Sequence, residues 1–179
     1  MKRVLLHVCC GPCTTYPLRA LRDEGYEVDG LFYNPNIHPY REFKRRSKTM
    51  AQYAQLAELS CELDQNYDLK ATLEVLMQSG QRCEACYLHR LERTARTGKE
   101  QGFDAFSTTL LVSPYQDHDL VASSGETASR KHGIPFLYRD FRPGWEQGVT
   151  LAKGAQLYRQ PYCGCVFSEY ERFSGGEAR

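Results

Sequence analysis

The sequence predicts an α/β fold: a mainly parallel sheet with helices on both faces, Rossmann-like or nucleotide-hydrolase-like, in a single domain. Three observations lead there. Short β-branched and leucine-rich runs alternate with helical patterns along almost the whole chain, and strands separated by helices pair in parallel. The length of 179 residues is that of about one domain, and a chain of this size buries roughly 70% of its unfolded surface without needing disulfides. Hydrophobic residues at 41% and charged residues at 25% are globular proportions, which exclude wholesale disorder, collagen and a coiled-coil rod. The domain is expected over residues 1–173, followed by a polar, frayed tail at 174–179.

Residues 3–8 form the first expected strand, and Cys9-Cys10-Gly11-Pro12 the turn after it. Pro12 suits the first position of a helix, where its missing N–H is an orphan anyway, so a helix is expected over 13–24, stopped by Gly25. A second strand covers 27–33 and a rigid loop carries Asn34-Pro35-Asn36 and His38-Pro39. Phe43, Met50, Tyr53, Ala54 and Ala57 then recur at helical spacing over 40–59. A third strand is expected at 61–63, and helices at 68–77, ended by Ser79-Gly80, and 84–101, ended by Gly102. There follow a strand at 103–110, a helix at 117–132 stopped by Gly133, and a last strand at 134–140. Arg142-Pro143-Gly144 turns the chain into a broken helix at 145–157, and 166–173 closes the fold. In such sheets ligands bind beyond the carboxyl ends of the strands, the edge at which Cys9 and Cys10 leave the first strand.

Cysteine is the outlier in composition. Eight are present, and seven fall into three groups: Cys9-Cys10-x-x-Cys13, Cys83-x-x-Cys86 and Cys163-x-Cys165, with Cys61 alone. The longest apolar run near the start is Val4-Leu5-Leu6, too short for an export signal or a membrane span. A cytoplasmic location without a membrane partner is expected, where grouped thiols bind metal or react rather than form a disulfide framework. Four thiolates complete a structural zinc site or a cubane iron–sulfur cluster, and composition alone leaves both open. Cys10 and Cys13 flank an expected helix N-terminus, whose partial positive charge favours thiolate; Arg82 is expected to do the same for Cys83. Gly164 lets the backbone turn so that Cys163 and Cys165 face one point, as a reducible pair or a second metal site. Cys61 reads as an ordinary buried residue.

Five stretches together carry a resemblance. His7-Val8-Cys9-Cys10-Gly11-Pro12-Cys13, Arg82-Cys83-Glu84-Ala85-Cys86-Tyr87, Ser107-Thr108-Thr109-Leu110 with Ser113-Pro114-Tyr115-Gln116, Asp140-Phe141-Arg142-Pro143-Gly144-Trp145 and Tyr158-Arg159-Gln160-Pro161-Tyr162-Cys163-Gly164-Cys165 resemble the cobalamin-independent epoxyqueuosine reductases of the QueH type. The similarity runs in order from about Arg3 to Arg172. It implies an oxidoreductase of tRNA queuosine biosynthesis that reduces the epoxide of epoxyqueuosine, a modified guanosine of the anticodon, to an alkene. It implies a [4Fe-4S] cluster with Cys9, Cys10, Cys83 and Cys86 as ligands, a further mononuclear iron, and Cys163 and Cys165 as a redox-active pair that forms a disulfide. Cys13 belongs to this site with its role unassigned. Removing the oxygen as water takes two electrons and two protons. A cubane cluster passes one electron at a time, so a second metal or a dithiol holds the other, and an external electron donor must supply both.

Candidate proton donors are His7, Tyr115, His118 and Tyr162, each with an ordinary structural role also available to it. Tyr115 and Gln116 follow a strand end, while Asp140, Arg142 and Trp145 follow the next, so Gln116, Asp140, Arg142 and Trp145 are expected to bind substrate; Trp145 is suited to stacking on a base. Net charge is only +1, so local basic runs matter more for RNA: Arg41, Lys44, Arg45, Arg46 and Lys48, then Arg90, Arg93, Arg96 and Lys99. Phosphate contacts from such runs position an RNA without reading its sequence. Two alternatives share parts of this pattern. An ATP-dependent adenylating tRNA-modifying enzyme would need a Gly/Ser-rich cradle after the first strand, where this chain has one glycine and no serine. A zinc-binding structural module would use four of the thiols and no redox chemistry.

Overall fold

The computed structural model describes residues 1–78, 81–162 and 164–175. Four parallel strands, β1 (Arg3–His7), β2 (Glu27–Phe32), β3 (Cys61–Leu63) and β4 (Ala105–Thr108), form one sheet in the order β3-β2-β1-β4. The helices are α1 (Gly11–Asp23), α2 (Tyr40–Leu56), α3 (Leu69–Gln78), α4 (Arg82–Glu100), α5 (His118–His132), α6 (Trp145–Gly154) and α7 (Val166–Ser174).

Strand β1 lies inside the sheet, and its alternating side chains feed two cores. Leu6 and Val8 pack with Leu18 and Leu21 of α1 and Phe43 and Met50 of α2. Leu5 points the other way, toward Leu91 and Ala95 of α4 and Ala128 of α5. Burial on both faces is why this strand reads as an unbroken apolar run rather than an alternation. The predicted stops Gly25, Gly102 and Gly133 all adopt left-handed backbone, with φ of 86°, 72° and 64°, which only glycine adopts without cost.

The expected strand at 134–140 does not form. Pro135 has no N–H to give, and the segment touches β4 at a single bridge, Phe106 to Phe136; the Tyr138 N–H then bonds back to Phe136 (3.2 Å) and turns the chain away. The strand expected at 103–110 shortens to β4, because the Thr108 hydroxyl accepts the Leu110 N–H (3.1 Å) and starts a 3₁₀ turn, Thr109–Val112. The helices expected at 40–59 and 145–157 stop early, at Leu56 and Gly154, each closed by a non-glycine residue in left-handed backbone. At Glu58 (φ 48°) the Leu59 N–H reaches back to Ala54; at Gln156 (φ 52°) the Leu157 N–H reaches back to Ala152. Such closure satisfies the last carbonyls and leaves no glycine in the sequence to announce it. Ser174, expected in the tail, ends α7. Among the described residues no helix is long and apolar enough to cross a membrane.

Candidate metal centre and substrate cleft

The succession of strands changes side at β1: β2 and β3 lie to one side, β4 to the other. The crevice at the carboxyl ends of β1 and β4 is therefore the switch point where open α/β sheets bind ligands. Cys9 leaves β1 there. Its N–H donates to Thr109 Oγ1 (3.0 Å), and the same hydroxyl donates back to Cys9 Sγ (3.3 Å). Asn34, just after β2, donates to the Val8 carbonyl (2.9 Å), tying a third strand end into the rim.

Cys10 caps α1. Its Sγ accepts the Cys13 N–H (3.3 Å) and Gln160 Nε2–H (3.4 Å), and it is 1% exposed. The S–H groups of Cys13 and Cys9 donating to it, helped by these N–H donors, hold the Cys10 thiol well below the ordinary thiol range. Cys13 moves the other way: acting as donor to Cys10 raises it well above the ordinary range. Hydrogen bonding to Cys10 pushes Cys9 up to about 11. The sulfurs of Cys9, Cys10 and Cys13 lie within 4.8 Å of one another. Of the two sulfurs expected to be lowered at this helix N-terminus, Cys10 is shifted down and Cys13, its donor, is shifted up.

Cys83 and Cys86 sit on the first turn of α4, whose cap residue, Gln81, makes no side-chain cap bond. Burial raises both thiols. Arg82 does not reverse this for Cys83, contrary to expectation. Its guanidinium lies over the Phe167 ring at 4.2 Å and pairs with Glu171 at 3.2 Å. Neither cysteine joins the compact trio. The link between them is Arg90, one turn further along α4. It is 3% exposed and bonds the Cys86 carbonyl and Asn34 Oδ1, both at 3.3 Å. Cys86, Cys9, Tyr87 and Cys165 are the ionisable groups that face it; among the described residues it pairs with no carboxylate. A buried guanidinium stays charged, and leaving it uncompensated costs several kcal/mol. Metal-bound thiolates at these positions would supply the compensating charge. The donor set fits a thiophilic metal.

Cys165 precedes α7 and Cys163 lies outside the described residues. Gly164 between them has φ 119°, and a Cβ there would meet Ser168 Oγ at 2.5 Å, so the position admits only glycine. Its carbonyl accepts from Arg46 Nη1 (3.2 Å). Arg46 and Arg90, read as members of basic surface runs, are both 3% exposed: helical periodicity turns one arginine of each run inward while Arg41, Lys44, Arg45, Lys48, Arg96 and Lys99 stay exposed. Arg93 is committed to Glu62 (3.8 Å) and Asp64 (3.7 Å).

A cavity of about 540 Å³ opens beside the trio, walled by Cys13, Tyr16, Tyr115, Trp145, Gln160 and Tyr162 among others. Tyr115 meets the Trp145 ring edge-on at 5.8 Å. Gln116 accepts from the Tyr87 hydroxyl (2.6 Å) behind this wall. Asp140 and Arg142 pair with each other on the surface (2.7 Å) and do not line the cavity. His118 bonds the Tyr138 hydroxyl (2.8 Å) and does not line it either. His7 is fully buried between Thr108 Oγ1 (2.9 Å) and the Tyr33 carbonyl (3.2 Å), and burial lowers it to about 4, so it is a neutral core residue. Cys61, at the sheet edge, stands apart from the other thiols. Gln160, Thr109 and Asn34 had no role assigned from sequence. Glutamine, threonine and asparagine carry no distinctive spacing; only the first two lie inside recognisable motifs.

The fold is shared with a solved structure described as a predicted subunit of tRNA methyltransferase from Methanocaldococcus jannaschii, at a TM-score of 0.58 and 14% identity over 86% of this chain and 76% of that one. Curated relatives named epoxyqueuosine reductase QueH are far nearer in sequence. The protein of Dehalococcoides mccartyi is 37% identical over 174 residues, 96% of this chain and 94% of its own length. That of Thermotoga maritima is 36% identical over 182 residues, 96% of this chain and 93% of its own. The family model for epoxyqueuosine reductase QueH matches residues 4–171. With nearly the whole fold and every cysteine group inside that span, the chain belongs to the epoxyqueuosine reductase QueH family.

Proposed function

We propose that the chain reduces the epoxide of epoxyqueuosine in a tRNA anticodon to the alkene of queuosine. The observation that carries this reading is a shared wall. Cys13 lines the cavity, and Gln160 lines it while donating to Cys10 Sγ. A ligand filling about 540 Å³, ample for a nucleoside, would lie against the sulfur trio.

In this reading Cys9, Cys10, Cys83 and Cys86 would hold a [4Fe-4S] cluster, and Cys13, which lines the cavity, belongs to the same site. When bound, the cluster supplies electrons singly. The chain's own groups do the rest. Trp145 offers its face to the base and Tyr115 braces it. The Tyr115 hydroxyl is the proton source on the cavity wall, while the Tyr162 hydroxyl donates to the His38 carbonyl (3.4 Å). Cys163 and Cys165 act as the dithiol. Arg90 balances the negative charge of the thiolates. Gln116 fixes the wall through Tyr87, while His118, Asp140 and Arg142 act at the outer rim, on the RNA rather than on the reacting nucleoside. A splayed anticodon base is the form in which single-stranded RNA is read.

The test is anaerobic reconstitution with iron and sulfide, metal and sulfide analysis, and mass analysis of the nucleosides of epoxyqueuosine-containing tRNA given a chemical reductant. Iron with stoichiometric sulfide and loss of one oxygen mass are expected. Zinc without sulfide, or tRNA-dependent ATP consumption in place of reduction, would overturn it.

A further inference from the structure

A second pocket, of about 420 Å³, lies at the N-terminus of α2. His38, Arg41, Glu42, Arg45, Tyr162 and Glu169 line it. Tyr162 also lines the larger cavity, so one aromatic side chain divides the two. Its hydroxyl donates to the His38 carbonyl (3.4 Å).

Three kinds of donor converge there. The cap of α2 is Pro39, which provides no side-chain cap bond; the Glu42 and Phe43 N–H groups bond the Pro39 carbonyl, which leaves those of Tyr40 and Arg41 without an intrahelical acceptor at the start of this 17-residue helix. Arg41 and Arg45, one turn apart, are both exposed, and Arg45 is braced over the Tyr158 ring at 4.0 Å. The third donor is His38, 4% exposed. Its Nδ1 meets the Tyr67 hydroxyl at 2.8 Å, and its Nε2 is buried with no partner among the described residues. In the tautomer with Tyr67 donating to Nδ1, Nε2 carries the proton, on a side chain that lines the pocket.

Opposing charge is limited. Glu42 is already engaged by Arg46 at 2.7 Å and by the Tyr158 hydroxyl at 3.0 Å. Glu169 is the other carboxylate on the wall. Two guanidiniums, a buried imidazole N–H and a helix N-terminus match the non-bridging oxygens of a phosphate group.

We infer that this pocket is a subsite for a backbone phosphodiester of the RNA substrate, seated across Tyr162 from the nucleotide in the main cavity. It rests on the reading of the substrate as RNA. Held there, the phosphate fixes the register in which one nucleotide enters the larger cavity, and contributes affinity without sequence information.

Binding of an anticodon stem–loop RNA to the reconstituted full-length protein, followed by fluorescence anisotropy over a salt series, tests it without turnover. The Arg41→Gln/Arg45→Gln variant should bind roughly tenfold more weakly, and its log–log salt slope should be shallower by about 0.7 for each single-strand phosphate that the protein no longer neutralises. Glu169→Gln should tighten binding, and Arg130→Gln, on the remote α5, should match wild type. Inorganic phosphate should compete with RNA on the wild type more than on the double variant. Wild-type affinity and slope in the double variant, or an equal weakening in Arg130→Gln, would overturn the subsite. Failure of the reductase assay alongside the expected binding pattern would remove the reductase reading and leave the subsite standing.

Discussion

Two cysteine groups sit at two helix N-termini beside the same sheet edge, and their sulfurs are handled differently. At α1 the sulfur of Cys10 is itself the cap, takes N–H donors from Cys13 and Gln160, and is driven toward thiolate. At α4 the cap is Gln81, and burial raises Cys83 and Cys86. Equal Cys-x-x-Cys spacing on a helix start therefore does not fix the charge state. What separates them is the donor set: Cys10 accepts from the Cys13 and Cys9 thiols, from Gln160 and from the cap N–H, whereas burial dominates at Cys83 and Cys86. The α4 group relies instead on Arg90, a cation from one turn deeper in its own helix. In the reading proposed above, one half of the centre is organised by hydrogen bonds and the other by a buried charge that thiolates would complete.

The largest test of this contrast is removal of sulfur from each half. Cys10→Ala should abolish iron retention and also cost about 1 kcal/mol of stability, the usual worth of an N-cap. Cys83→Ala should abolish cluster assembly with the metal-free unfolding curve unchanged. Iron analysis and urea unfolding of both variants check this, and equal unfolding curves would erase the distinction between the halves.

Arg90→Met sharpens it through a reversal of sign. Without metal, replacing the uncompensated buried cation should leave stability unchanged or raise it by about 1–4 kcal/mol. With metal, the same change should weaken retention of the centre and lower its reduction potential, because a positive charge favours the electron-rich state. Urea unfolding with and without metal, and a redox titration, read the two arms; destabilisation in both would make Arg90 a packing residue.

Thr109→Val keeps shape and removes the hydroxyl that bridges Cys9 N–H and Cys9 Sγ. Destabilisation by about 1–2 kcal/mol in urea unfolding is expected from the stranded buried N–H. Smaller still should be the effects of the outer rim. Trp145→Ala should raise KM for the modified tRNA more than Arg142→Gln does, since only Trp145 lines the cavity. Equal effects would return Arg142 to the reacting nucleoside.

Much of the fold was legible because it rests on local patterns. The unbroken apolar run of β1, Pro12 at the start of α1 and the glycines after α1, α4 and α5 each act through neighbours in sequence, and each lies where expected. The early ends of α2 and α6 were not legible, because Glu58 and Gln156 adopt left-handed backbone that nothing in their identity requires. The absent strand at 134–140 turned on pairing: Pro135 and the bend at Tyr138 limit contact with β4 to one bridge.

Residue type and spacing alone determined that this chain is a parallel α/β domain with grouped thiols at a strand end, since periodicity and cysteine pairing are one-dimensional properties. Tertiary structure decided which arginine of each basic run is buried, which sulfur becomes the cap, and that Gln160 from far along the chain reaches Cys10. Those outcomes depend on burial and on donors brought from distant segments. Burial sets the cost of a charge and a donor sets where it settles, so the surroundings of the sulfurs are fixed only when the strand ends and Gln160 meet.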